Sequence, residues 1–209
     1  PGTSSLAVWE LGEKEPKPLV ELRPDESLAI GSAFKLYVLG ALIDEIAAGT
    51  RSWQDTLALR TELRSMPSGV MQSWPAGSHH TLETLAGLMI SQSDNTATDH
   101  LLVELGRTRV EEAQVAMGSE SADRSRPFLT TAEFFKLKWT RGGELSKAYL
   151  ALDDEKRLDF LAKSVAPVSL DEIDLGAFAS PLHIDTVEWF ASARDLCRAM
   201  DSLRRASDD

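Results

Sequence analysis

Ser32 and Lys35 stand three residues apart in Ser32-Ala33-Phe34-Lys35, a hydroxyl and an amine at a spacing that shares one face of a helix. Gly31 permits a tight entry into that helix. A serine at a helix start lies where unpaired backbone N–H groups can stabilise a developing oxyanion. Lys35 falls in the most apolar stretch of the chain, among Phe34, Leu36, Tyr37, Val38 and Leu39. Burying an ammonium is costly, so the amine is expected to release its proton more readily than usual. A neutral amine beside a hydroxyl can take the hydroxyl proton and make serine a nucleophile. The same residues also read as an ordinary N-cap and a snorkelling lysine. With 21 serines and 8 lysines in 209 residues, the spacing arises by chance about once.

Ser93-Asp94-Asn95 carries more information. Asn95 is the sole asparagine of the chain, and the tripeptide is expected by chance about 0.01 times. It lies between two helical patterns, 61 residues after Ser32, where Asp and Asn also favour turns and caps.

The elements that must position these groups are mostly helical. A nearly all-round apolar helix is expected over 32–48, stopping at Gly49, and belongs in the middle of a core. Further helices are expected over 82–90, 96–105, 109–117 and 154–165. Thr130 and Glu133 form a capping-box pair ahead of Phe134 and Phe135. Asp185 and Glu188 are read as the cap of a last long helix over 186–203. Only two strands are apparent, 6–11 and 19–22, joined by a turn over 12–17 as an antiparallel hairpin. Two strands make a marginal sheet, so the hairpin is either a flap on a helical body or is joined by strands from elsewhere.

Composition bounds the rest. Hydrophobic residues make up 43% and charged residues 26%, ordinary for a globular domain. No apolar run reaches the ~18 residues of a membrane span. The net charge of -11 argues against nucleic acid and anionic membrane as partners. A cytoplasmic location is expected, although the chain starts without Met and a signal could have preceded Pro1. Cys197 is the only cysteine and reads as a structural thiol. His79-His80, His100 and His183 show no metal-ligand spacing, so no metal or other cofactor is implied.

Ser-x-x-Lys followed about sixty residues later by Ser-Asp-Asn resembles the penicillin-recognising serine enzymes, the class A β-lactamases and penicillin-binding proteins. The segment from Leu88 to Leu102 is similar to that family's over its whole length, and Leu129 to Phe135 resembles the helix start after the family's Ω-loop. The resemblance runs from Leu6 to about Leu203. More narrowly it is to the β-lactamase-like domain of clavulanic acid biosynthesis.

It implies an α+β, β-lactamase/transpeptidase-like fold, a single domain over 1–209, of which this chain supplies the helical part and the N-terminal hairpin. Ser32 would be the acylated nucleophile and Lys35 its base. Ser93 would relay a proton to the leaving group, Asn95 would bind the substrate's amide side chain, and Asp94 would hold its loop. The substrate would be β-lactam-related (cephalosporin-like) or an ester, in antibiotic biosynthesis or tolerance.

Two departures qualify the resemblance. The family's third motif, Lys-Thr-Gly on a sheet edge, is absent; Lys138 to Gly142 matches it only superficially and falls at the end of a helix. The C-terminal strands that carry that motif are expected on a second polypeptide or segment, the polar Arg204-Arg205 stretch being suited to nicking; an artificial chain boundary or a disordered loop is the alternative. Second, only 119–128 lies where the Ω-loop would be, with Glu120 as its one glutamate, so efficient class A hydrolysis is not expected. A peptidoglycan D,D-peptidase and a non-catalytic ligand-binding domain stand as alternatives.

Overall fold

The computed structural model describes residues 2–12, 15–174, 176–177 and 182–208. The tip of the expected turn, at 13 and 14, and the last residue of the polar tail lie outside them. The architecture is α+β, with a helical body and three small two-stranded antiparallel sheets among the described residues.

Strands β1 (Leu6–Glu10) and β2 (Lys17–Leu22) form the expected hairpin, paired from Leu6↔Leu22 to Glu10↔Lys17. The register shifts between Val8 and Trp9, so that Trp9 meets Pro18; proline has no N–H for the ladder and is tolerated at such an irregularity. Alternate residues of β1 are half-buried, whereas all six residues of β2 are exposed.

After β3 (Leu28–Ala29), a 3-10 turn over Gly31–Phe34 leads into α1 (Lys35–Ala47). This corrects the expected start: Ser32 lies on the turn before the helix, not in it, because Gly31 enters at φ +50°. The core is built around α1, whose Tyr37, Val38, Ala41 and Leu42 are wholly buried. Each of its larger side chains contributes about 1.5–3 kcal/mol on burial, which is why this helix reads apolar on nearly every face.

Strands β4 (Thr56–Ala58) and β5 (His79–Thr81) flank an irregular loop and lead into α2 (Leu82–Ser91). Then follow α3 (Asn95–Leu105), α4 (Arg107–Ala116), α5 (Thr131–Trp139), α6 (Glu144–Leu150) and α7 (Asp154–Phe160), the last continuing as a π-helical turn over Leu161–Val165. Thr130 and Glu133 make the reciprocal capping box expected of them.

The last helix is the second correction. Residues 186–191 are not helical: Phe190–Ala191 is a strand, β6, paired with β3, and α8 runs Ala193–Asp208. Its cap is Ser192, whose Oγ accepts from Asp195 N at 3.0 Å while Asp195 Oδ2 accepts from Ser192 N at 3.1 Å. Glu188 is drawn elsewhere, into an ion pair with Lys138 at 2.5 Å. Cys197 is half-buried on α8 near Ala7 of β1.

Candidate active site

The site is assembled where three pieces of chain meet: the turn into α1, the start of α3, and the loop over 64–72. Asp94 is the N-cap of α3 and is completely buried. Its Oδ1 accepts from Ala97 N at 2.9 Å, in the first turn of its own helix. Its Oδ2 accepts from Val70 N at 2.6 Å and Met71 N at 2.9 Å. One carboxylate thus caps a helix and clamps the loop opposite.

The loop can come this close only because position 69 is glycine. Gly69 holds φ +103°, and a Cβ there would lie 2.2 Å from Asp94 Cγ and 2.6 Å from Asp94 Cα. Ser68 adds two further ties, donating from Oγ to Ser93 O at 2.7 Å and accepting Asn95 N at its own carbonyl at 3.1 Å.

The clamp turns Ser93 into a left-handed conformation, φ +54°, which costs a side-chain-bearing residue roughly 1–2 kcal/mol. Its carbonyl and hydroxyl consequently face Lys35. Lys35 Nζ donates to Ser93 O at 2.7 Å, Ser93 Oγ at 2.9 Å and Asn95 Oδ1 at 2.7 Å. All three ammonium protons are therefore engaged. Lys35 is 2% exposed, and burial brings its pKa down to about 8, against the opposing charges of Asp99 and Asp94. Asn95 is buried as well and donates from Nδ2 to Met66 O at 2.9 Å.

Ser32 is exposed on the turn into α1, and the three partners of Lys35 Nζ are Ser93 O, Ser93 Oγ and Asn95 Oδ1 rather than the Ser32 hydroxyl. Its turn is anchored by Phe34, whose ring stacks on Trp189 at 3.8 Å and meets Phe128 edge-on at 5.8 Å. Trp189 O also accepts Ile30 N at 3.0 Å, extending the β3–β6 pairing to the edge of the turn. The structure therefore brings Ser93, Asp94 and Asn95 together with Lys35 at the start of α1, and sets Ser32 three residues earlier on the turn that precedes it.

Other singled-out residues lie apart from it. Glu120 is exposed and pairs with Arg198 of α8 at 2.7 Å. Lys138, at the end of α5, is sealed against the Phe134 and Trp139 rings with Glu188 as its counter-ion. His80 shares a hydrogen bond of 2.7 Å with Ser78 Oγ. His100 Nε2 accepts from Arg60 N at 2.8 Å, which makes Nδ1 the protonated nitrogen, donating to Thr96 O at 2.7 Å. Among the described residues no three His, Cys, Asp or Glu side chains converge on a point where a metal could sit.

Several residues that build the site carry no signal in isolation. Gly69 and Ser68 sit in a stretch that reads as a turn or a cleft wall. Asp99 reads as one more polar residue of a helix, yet it is 1% exposed. Its Oδ1 accepts from Thr131 N at 2.7 Å and Thr131 Oγ1 at 2.8 Å, and its Oδ2 from Ala132 N at 2.9 Å. An i, i+4 relation to Asn95 on α3 is the one hint the sequence offers.

Comparison with known proteins gives the family and the fold. A family model described as the Beta-lactamase enzyme family matches residues 1–205. No curated protein matches the chain. A β-lactamase from Sphaerobacter thermophilus superposes with a TM-score of 0.58 at 21% identity, over 95% of this chain and 55% of that one. The D-alanyl-D-alanine carboxypeptidase DacD from Francisella tularensis gives 0.58 at 16% identity, over 96% and 37%. Penicillin-binding protein D2 from Listeria monocytogenes, in its cefotaxime-bound form, gives 0.53 at 14% identity, over 92% and 58%. At these identities the likeness is one of fold, and the chain spans just over half the length of the first of them.

Proposed function

The chain belongs to the β-lactamase enzyme family, and from that premise we propose that it forms an acyl-enzyme on Ser32 with β-lactam-related or ester substrates. The observation that carries the reading is the buried Lys35 amine, three residues from an exposed Ser32 and hydrogen-bonded to Ser93 and Asn95. Lys35 in its neutral form takes the Ser32 hydroxyl proton as Oγ attacks the carbonyl carbon. The oxyanion develops beside the Ser32 N–H. Lys35, now an ammonium, passes a proton to Ser93 Oγ, which gives its own to the departing amide nitrogen or alkoxide as the acyl bond breaks. Asn95 presents its spare N–H to a carbonyl of the substrate's side chain.

Deacylation is slow in this reading, since Glu120 is committed to Arg198. The substrate therefore remains as a long-lived acyl-enzyme, or is passed to an acceptor other than water. The strands that complete the sheet come, in the same proposal, from a second polypeptide or segment; the fully exposed β2 supports this. A setting in β-lactam antibiotic biosynthesis or tolerance, clavulanic acid in particular, and a cytoplasmic location rest on the sequence resemblance and composition alone. Among the described residues no helix is long and apolar enough to cross a membrane.

The test is direct. The full-length protein, incubated with a fluorescent penicillin and digested, should carry the label on the peptide containing Ser32. An unlabelled protein, or label on another residue, overturns the reading. The pH dependence is fixed by the sign of the Lys35 shift. Only the deprotonated amine is a base, so the labelling rate should rise with pH through about 8 and then level off. A rate flat between pH 6 and 9 would remove Lys35 from that role.

A further inference from the structure

We propose that Asp99 sets the pH at which acylation begins, its buried charge holding Lys35 protonated in the resting site. This rests on the reading of Lys35 as the base of Ser32.

The argument begins with geometry. Lys35 Nζ is bound to Asn95 Oδ1 at 2.7 Å, and Asp99 is one helical turn further along α3, on the same face as Asn95. Asp99 is 1% exposed and, among the described residues, has no cation as a hydrogen-bond partner. Its partners are the first two backbone N–H groups of α5 and the Thr131 hydroxyl. α5 already has a complete cap in Thr130 and Glu133, so an uncharged acceptor would satisfy the remaining N–H groups. A full carboxylate is more than the cap requires, and it sits behind the cradle of the one buried amine that the chemistry uses.

The charged groups around it are few. Asp94 stands at the head of α3, Glu133 and Lys136 lie on α5, and Lys35 enters from α1. Of these neighbours, Asp99 is the strongest electrostatic influence on Lys35, raising its proton affinity, with Asp94 second. Burial in turn pushes the Asp99 carboxyl up to about 7, against the hydrogen bonds from Ala132 and Thr131. The two groups thus titrate in adjoining ranges, with the Asp99 charge raising the proton affinity of Lys35. With Asp99 ionised, Lys35 remains an ammonium gripped by Ser93 and Asn95. With that charge removed, the amine becomes a free base at lower pH.

The sign makes the test sharp. In the full-length protein, Asp99→Asn should shift the rising limb of the labelling rate down by about one pH unit, so that the rate at pH 7 rises several-fold. A residue that only caps α5 would leave the limb in place and lower the rate and the melting temperature together, and that outcome overturns the proposal. Thr131→Val, which loses a cap hydroxyl and no charge, is the matched control and should leave the limb unmoved. Should Asp99→Asn not fold, the 13Cε resonance of Lys35 in the unchanged protein gives the answer. Two inflections, the lower one tracking Asp99, support the coupling; a single inflection overturns it. This resonance also separates the two claims, because it reports the coupling even in a protein that no penicillin labels.

Discussion

Lys35→Met should lower the rate of Ser32 labelling by about 10²–10⁴-fold, the range general-base catalysis supplies, with little change in thermal stability. Methionine matches the lysine stem in length and suits the apolar walls around Phe34 and Tyr37. Two energies then oppose each other. Holding Lys35 charged at pH 7, when its pKa has been brought down to about 8 from 10.5, costs the fold about 3 kcal/mol. The substitution removes that cost. It also strips donors from Asn95 Oδ1 and Ser93 Oγ, and a buried acceptor left without a partner costs about 1–3 kcal/mol. Ser93 O keeps its bond from Ser68 Oγ, so the loss falls mainly on Asn95. The terms nearly cancel, and the melting temperature should move by no more than a few degrees. Stopped-flow labelling with a fluorescent penicillin and a thermal melt on the same preparation separate catalysis from stability. Labelling that survives at the original rate would show that some other group activates Ser32.

Gly69→Ala should be the most damaging single-methyl change near the site, destabilising the protein by about 4 kcal/mol or more. A Cβ at 2.2 Å from Asp94 Cγ and 2.6 Å from its Cα cannot be relieved by rotating a side chain, since the backbone of Asp94 is itself in the way. Asp94 cannot retreat without abandoning Val70, Met71 and Ala97 N–H groups together. The positive φ at Gly69 adds backbone strain to the clash. Against a typical total of 5–15 kcal/mol, this leaves a loosened site or no fold. A chemical-denaturation midpoint close to that of the parent protein would show that the 64–72 loop is not clamped as described. Ser68→Ala, by contrast, removes a single hydroxyl from the same clamp and should be mild.

How much of this is legible in the sequence depends on whether the cause is local. The starts of α2, α3 and α5 are legible because their caps, Thr81, Asp94 and Thr130, act within one turn of chain. The Ser32–Lys35 and Ser93–Asn95 motifs are legible because each is a set of residue types at a fixed short spacing. Strands β3, β4, β5 and β6 are not, because two or three residues are too few to show alternation, and their partners are distant in sequence. The last helix starts later than its pattern suggests for a related reason. Val187, Trp189, Phe190 and Ala191 are all buried, so the run lacks the polar face that marks a strand, and Glu188 mimics a cap while its real partner is Lys138, 50 residues away. Asp99 cannot be recognised from the sequence. Its importance comes from what α5 and α1 bring to it, and neither neighbour is encoded near it.

The exposed strand β2 has a consequence for anyone handling this chain alone. Leu19, Val20 and Leu22 are each more than half exposed, and the strand's outer row of peptide groups has no neighbour among the described residues. Such a surface invites edge-to-edge aggregation between copies. Lys17, Pro18 and Glu21 act as gatekeepers against it, a charge or a missing N–H at three of the six positions. Their protection is partial, and the preparation should be kept dilute and away from conditions that neutralise those charges.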